Sequence, residues 1–194
     1  MNEMLLKLEA KWGGFVKNGH ALCNKQMPFV STKAYLNVLY EPQKESIQKA
    51  FGSLDATVPP ELLNFYRQYN GCRLFFSGLN IFGIQCFEDE IYEPFDLGVE
   101  NRNIQETFKN SDYIFFASLG GDYAFAYRKD ECSQIYAIKK GKKKILKKFD
   151  SFETWFSYYF NVLYEEYDDE GRKKHPNKRY KDIPALYHEI CKFF

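Results

Sequence analysis

Cysteine is too scarce and too scattered in this chain to build a disulfide framework or a zinc site. There are five, Cys23, Cys72, Cys86, Cys132 and Cys191, an odd number with no C-x-x-C pair, whereas both kinds of site need paired spacings. Histidine is scarcer, with only His20, His175 and His188, each in a segment that reads as peripheral. No apolar run approaches the roughly 20 residues that cross a bilayer as a helix. The first residues are amphipathic and interrupted by Glu3, Lys7, Glu9 and Lys11, unlike the apolar heart of a signal peptide. No N-x-S/T sequon occurs, and a reducing cytoplasm is the expected setting. A dominant sign of charge is missing too. The net charge is +1, so no overall field draws the protein to nucleic acid or to a membrane. Any electrostatic partner must be met by a local patch.

Catalytic signatures fail in turn. Gly14 to Gly19 has the glycine spacing of a phosphate-binding loop, but His20 and Ala21 stand where Lys and Ser/Thr must follow. His188-Glu189 opens like a zinc-protease helix, and Lys192 occupies the place of the second histidine. G-x-S-x-G is absent. Cys72 and Cys86 lie in apolar strand contexts, where thiols are commonly buried and inert. Asp122, beside Gly120-Gly121, reads either as a catalytic carboxylate or as a turn residue accepting backbone hydrogen bonds. The expectation is a protein that is not an enzyme and has no cofactor or metal.

What is present is the material of a packed core. Hydrophobic residues are 45% and charged residues 27% of the chain, which suits an ordered domain rather than a disordered one. Aromatics reach 19%, with 19 Phe and 15 Tyr. Such density favours strands and broad contact surfaces, and codon drift in a low-GC genome produces it as well. Helices are expected over about residues 3–12, from Ile47 to Gly52, and from Pro60 to Tyr69, where Leu62, Phe65, Tyr66 and Tyr69 form one face. Asn70-Gly71 closes the last of these. Residues 13–28 read as irregular and 34–40 as ambiguous between strand and helix. Strands are expected at Arg73–Phe76, Asn80–Phe87, Tyr113–Ser118, Ala124–Arg128, Gln134–Lys139 and Lys144–Phe149. Their short connections imply antiparallel neighbours. The acidic stretch 88–112 reads as irregular, with a short helix near Asn103–Lys109. The clearest helix runs from Ser151 to about Glu165, with Asp150 as cap, Glu153 three residues on, and Phe152, Trp155, Phe156, Tyr159, Phe160 and Leu163 on one side. Ile183–Phe194 suits a final helix.

Two charged patches carry the functional reading. Residues 139–148 hold seven lysines, either as phosphate contacts or as protection of a sheet edge against strand addition. The opposite patch is Glu88, Asp89, Glu90, Glu93, Asp96 and Glu100, interleaved with Phe87, Ile91, Tyr92, Phe95 and Leu97. Carboxylates beside aromatics suit docking to a basic protein, since charge steers approach and rings supply anchoring area. The alternative is an ordinary solvated loop.

Val58-Pro59-Pro60-Glu61-Leu62-Leu63-Asn64-Phe65-Tyr66-Arg67-Gln68-Tyr69-Asn70-Gly71 resembles the helix-then-Asn-Gly signature of the SUKH superfamily, in its branch named for the yeast Smi/Knr cell-wall-synthesis regulators. Ile47 to Gly52 stands in for the family's first helix. Leu119-Gly120-Gly121-Asp122, within Tyr113 to Tyr127, looks like its Gly-rich strand pair, and Phe149 to Phe156 is similar to its closing helix. The resemblance covers about 42–164. It implies an α+β fold, with a mostly antiparallel sheet of about five to six strands packed by helices. It divides the chain into an N-terminal extension on or near the core (1–40), a SUKH-like domain (41–165) and a charged loop with a C-terminal helix (166–194). It also implies a protein-binding module without a catalytic centre. Many bacterial members resemble immunity proteins that neutralise a polymorphic toxin, often a nuclease. Eukaryotic members look like regulatory scaffolds. On the immunity reading the partner is a toxin domain, and the docking residues are Glu88, Asp89, Glu90, Tyr92, Glu93 and Asp96, with Asp122 and Tyr123 near them. Direct nucleic-acid binding and membrane binding are not expected.

Overall fold

The computed structural model describes residues 2–27, 34–42, 50–52, 57–84, 94–140 and 144–176. Nine strands form one sheet, ordered along the chain without a crossover: β1 (Val16–Asn18), β2 (Ala21–Gln26), β3 (Tyr35–Tyr40), β4 (Cys72–Leu74), β5 (Leu79–Ile81), β6 (Tyr113–Leu119), β7 (Tyr123–Arg128), β8 (Ile135–Lys139) and β9 (Lys144–Phe149). All eight pairings are antiparallel. Four helices of eight or more residues accompany it among the described residues: α1 (Asn2–Trp12), α2 (Pro60–Gln68), α3 (Leu97–Phe108) and α4 (Phe152–Glu166).

The expected α+β class and antiparallel order hold, but the strand count of five to six is too low. The three additional strands come from residues 16–40. β1 is exposed throughout, so it lacks an apolar signal. β2 and β3 each carry a fully buried asparagine, Asn24 and Asn37, which breaks the hydrophobic pattern. Their carboxamides are paired: Asn37 Nδ2 donates to Asn24 Oδ1 at 3.1 Å, Asn24 donates to the Gly13 carbonyl, and Asn37 Oδ1 accepts from Phe75 N at 3.1 Å. The glycine spacing at 14–19 belongs to a hairpin. Asn18 pairs with Ala21, leaving Gly19-His20 as its turn, and Gly19 has φ +58°.

Two expected strands are shorter. β4 stops at Leu74 because Phe75, Phe76 and Ser77 take φ of 55°, 53° and 63°, a left-handed turn. β5 ends at Ile81, and residues 85–87 lie outside the described residues. Of the helix expected at Ile47–Gly52, residues 50–52 are helical and 43–49 lie outside the described residues, as does Ile183–Phe194. Gly71 has φ +88°, and a Cβ there would stand 2.7 Å from the Ile81 carbonyl oxygen. Only glycine fits that close approach.

The core lies mainly between the sheet and α4. Trp155 meets Phe116 at 4.9 Å and Phe125 at 5.0 Å between ring centroids, and Tyr159 meets Phe125 at 4.7 Å. The α4 cap sits one residue later than expected. Ser151 Oγ accepts from Thr154 N at 3.1 Å, and the Phe152 N–H donates to Glu61 Oε2 at 3.0 Å. Serine and aspartate cap comparably, so local sequence does not choose between Asp150 and Ser151. The far end of α4 has no basic residue in its last turn. Lys11 of α1 supplies one, donating to the carbonyls of Tyr164 at 3.2 Å and Tyr167 at 2.7 Å.

α3 takes in the short helix expected near Asn103–Lys109, begins six residues earlier at Leu97, and covers the other face of the sheet. Phe108 packs on Phe115 and Tyr113, both at 5.4 Å, and Tyr113 on Tyr136 at 5.3 Å. Because β5 pairs with β6 only over Leu119 to Ala117, the beginning of β6 lacks a strand on that side. Side chains of α3 complete it. Asn101 Oδ1 accepts from Phe115 N at 2.8 Å and Asn101 Nδ2 donates to Phe115 O at 2.6 Å, while Gln105 Nε2 donates to Tyr113 O at 3.0 Å. An asparagine in the middle of the buried stripe Leu97, Asn101, Ile104 hides the first half of the helix from an apolar-periodicity reading.

Candidate partner-binding surface

The start of α3 is fixed by Gly83. Its N–H donates to Phe95 O at 2.7 Å and its carbonyl accepts from Leu97 N at 2.8 Å. Asp96 then caps the helix, accepting from Val99 N through Oδ1 at 2.7 Å. The inner side of α3 is committed to β6, and among the described residues its outer side is exposed. Phe95 and Val99 are each 41% exposed. Asp96 and Glu100 follow at helical spacing, both half-buried, and Asn103 and Glu106 are exposed. Carboxylates and exposed apolar side chains thus share one helical surface.

Further along, Glu100, Asn103 and Thr107 face Ile138, Lys139 and Lys140 across a shallow cleft of about 160 Å³. The Lys140 N–H donates to the Asp122 carbonyl at 2.9 Å, which places Asp122, exposed in the β6–β7 turn, at the edge of that cleft. Asp96 stands at the start of α3. Tyr123 differs from both, being 4% exposed. It alternates along β7 with Phe125 and Tyr127, on the face that α4 covers, and the Lys139 ammonium lies 5.9 Å from its ring. Glu88, Asp89, Glu90, Tyr92 and Glu93 lie outside the described residues. Sequence reasoning names Phe95 among the rings of the acidic patch but does not single out Val99 or Asn103. Their one signal is the Asp96 cap, obscured by the polar stripe beneath it.

The lysine-rich stretch ends β8 and forms β9, which pairs with β8 alone among the described strands; Lys142 and Lys143 lie outside the described residues. Lys147 lies over Phe149 at 4.7 Å and Tyr158 at 4.8 Å, and Lys148 over Tyr136 at 5.1 Å. Charges held against rings along an edge strand fit edge protection.

The thiols offer little to a nucleophilic mechanism. Burial pushes Cys23 up to about 11 and Cys72 up to about 12, whereas an attacking thiolate needs a lowered value. Cys132 is half-buried, and Cys86 and Cys191 lie outside the described residues. His20 sits at the β1–β2 turn, 3.7 Å from Glu41, His175 is exposed, and His188 is outside the described residues. Among the described residues no three His, Cys, Asp or Glu side chains gather as metal ligands, and no helix is long and apolar enough to cross a membrane.

No curated protein matches the chain. The family model described as SMI1 / KNR4 family (SUKH-1) matches residues 41–158, more than half of its length. The matched stretch begins directly after β3 and ends within α4.

Proposed function

The chain belongs to the SMI1 / KNR4 family (SUKH-1), and from that premise we propose that it is a non-catalytic, cytoplasmic protein-binding module: an immunity protein that neutralises a cognate toxin by direct binding. The observation that carries this reading is the outer surface of α3. It presents Phe95 and Val99 beside Asp96 and Glu100, and it directly follows the acidic run Glu88 to Glu93 in the chain. Aromatic and aliphatic anchors beside carboxylates are suited to a basic protein surface. A toxin that acts on nucleic acid has such a surface, and carboxylates can occupy its substrate groove. The raised values of Cys23 and Cys72 lend support by weighing against thiol chemistry in the core.

The test has two stages. Co-purification from the native host identifies the bound protein, and a toxin domain is the expected catch. The triple variant Glu88→Lys, Asp89→Lys, Glu90→Lys should then slow association by about tenfold or more at low salt. An unchanged on-rate and affinity removes the acidic run from the interface. Recovery of a cell-wall-synthesis enzyme in place of a toxin selects the other reading, a regulatory scaffold.

A further inference from the structure

A second cleft, of about 180 Å³, opens between α1, α2 and the first turn of α4. Its floor is aromatic. Phe65, Phe152 and Phe156 line it and are 1%, 4% and 2% exposed, and the Phe152 and Phe156 rings stack with 4° between their planes. Its mouth is acidic. Glu61, from the first turn of α2, and Glu153, from the first turn of α4, both line it, with the Asn64 carboxamide between turns of α2. Neither glutamate forms an ion pair with any described residue. Glu61 is also held in place, since its Oε2 accepts the Phe152 N–H at 3.0 Å. Arg67, on the same helix, donates through Nη1 to Asn64 Oδ1 at 3.1 Å.

We propose that this cleft receives an arginine side chain presented by the protein partner. The chemistry is complementary in both parts. An aromatic floor accepts the flat, weakly hydrated guanidinium or the methylene stem behind it, and two carboxylates without a described counter-charge compensate its positive charge. Lysine suits the site less well, because a compact, strongly hydrated ammonium gives up more on leaving water for an aromatic surface. The inference rests on the reading of this chain as a binder of a basic protein.

The test uses the full chain labelled with nitrogen-15 and the peptide acetyl-Gly-Arg-Gly-amide, with its citrulline counterpart as the neutral isostere. The arginine peptide should produce saturable shifts at the amides of Glu61, Asn64, Phe152 and Glu153, with affinity on the order of millimolar. Citrulline should bind at least about tenfold more weakly, and so should the arginine peptide to the Glu61→Gln, Glu153→Gln double variant. Glutamine keeps an acceptor for the Phe152 N–H, so the unshifted remainder of that variant's spectrum reports an intact fold. Absence of saturable shifts at these amides, or equal binding of citrulline, overturns the proposal. With a captured toxin in hand, the double variant should raise Kd by about tenfold or more; an unchanged Kd overturns the cleft while leaving the immunity reading standing. Saturable arginine binding with no toxin ever captured supports the cleft and counts against the immunity reading alone.

Discussion

α4 and α3 cover opposite faces of one sheet by different means. α4 buries Phe152, Trp155, Phe156, Tyr159, Phe160 and Leu163, so its attachment is apolar and non-directional. α3 buries only Leu97, Asn101 and Ile104, and much of its hold on the sheet is directional, through Asn101 and Gln105 to the backbone of β6. The helix that commits its aromatics to the core offers a partner only its first turn, at the cleft beside Glu61. The helix anchored by two carboxamides keeps Phe95, Val99 and its carboxylates on the outside. Anchoring through polar groups is what makes an exposed apolar surface compatible with a secure position.

Four measurements would break or sharpen that contrast. The largest effect should come from Trp155→Ala, which removes the ring that meets Phe116, Phe125 and Phe152. A loss of about 3–5 kcal/mol is expected in urea unfolding, and a loss below about 1 kcal/mol would deny α4 its central place. Next is Asn101→Ala. It leaves the Phe115 N–H and carbonyl without their side-chain partners and should cost about 2–3 kcal/mol. If it is neutral, α3 is held by its apolar residues after all.

The third concerns alkaline pH. Burial raises the phenols of Tyr66 and Tyr159 above their usual value near 10. Both lie on the α2 and α4 side of the sheet, and α3 carries no tyrosine. A phenol held neutral in the folded state contributes its full stability below pH 10, where the unfolded chain also keeps its proton. That contribution falls as pH climbs through the window between the unfolded and the raised folded value. Each such phenol should remove about 1.4 kcal/mol per pH unit within it. Thermal melts at about pH 9 and about pH 11, either side of the unfolded value, check the sign; equal stability at the two would contradict it. The smallest effect should be Asp96→Ala, which deletes the α3 cap and should cost about 1 kcal/mol, seen as faster amide exchange at Val99 and Glu100 before any change elsewhere.

The same contrast explains what is legible in the sequence. α4 and α2 announce themselves because their buried residues recur at helical spacing and are nearly all apolar. The order of β6 to β9 follows from connections too short for anything but antiparallel neighbours. The first half of α3 escapes a reading by pattern because Asn101 interrupts its inner stripe, and β1 and β2 escape it, with β3 left ambiguous, because Asn24, Asn37 and an exposed first strand leave no alternation to detect. Of the docking residues, Asp96 is half-buried at the start of α3 and Asp122 exposed in the β6–β7 turn, while Tyr123 is packed on the α4 side. Local sequence could not separate them, since a tyrosine one residue past a turn points to either face according to register.

By itself, then, the chain's pattern of apolar spacing and turn residues determined the family, the class and the strongest helices, because those depend on interactions among residues close in sequence. Folding in three dimensions decided the full width of the sheet, the first half of α3, the cap of α4 and the cleft beside Glu61. Each of these rests on a hydrogen bond or a contact between segments far apart in the chain: Asn101 with β6, Asn37 with Phe75, Glu61 with Phe152. A buried carboxamide is favourable only where a distant backbone group meets it, and that meeting is a property of the assembled molecule.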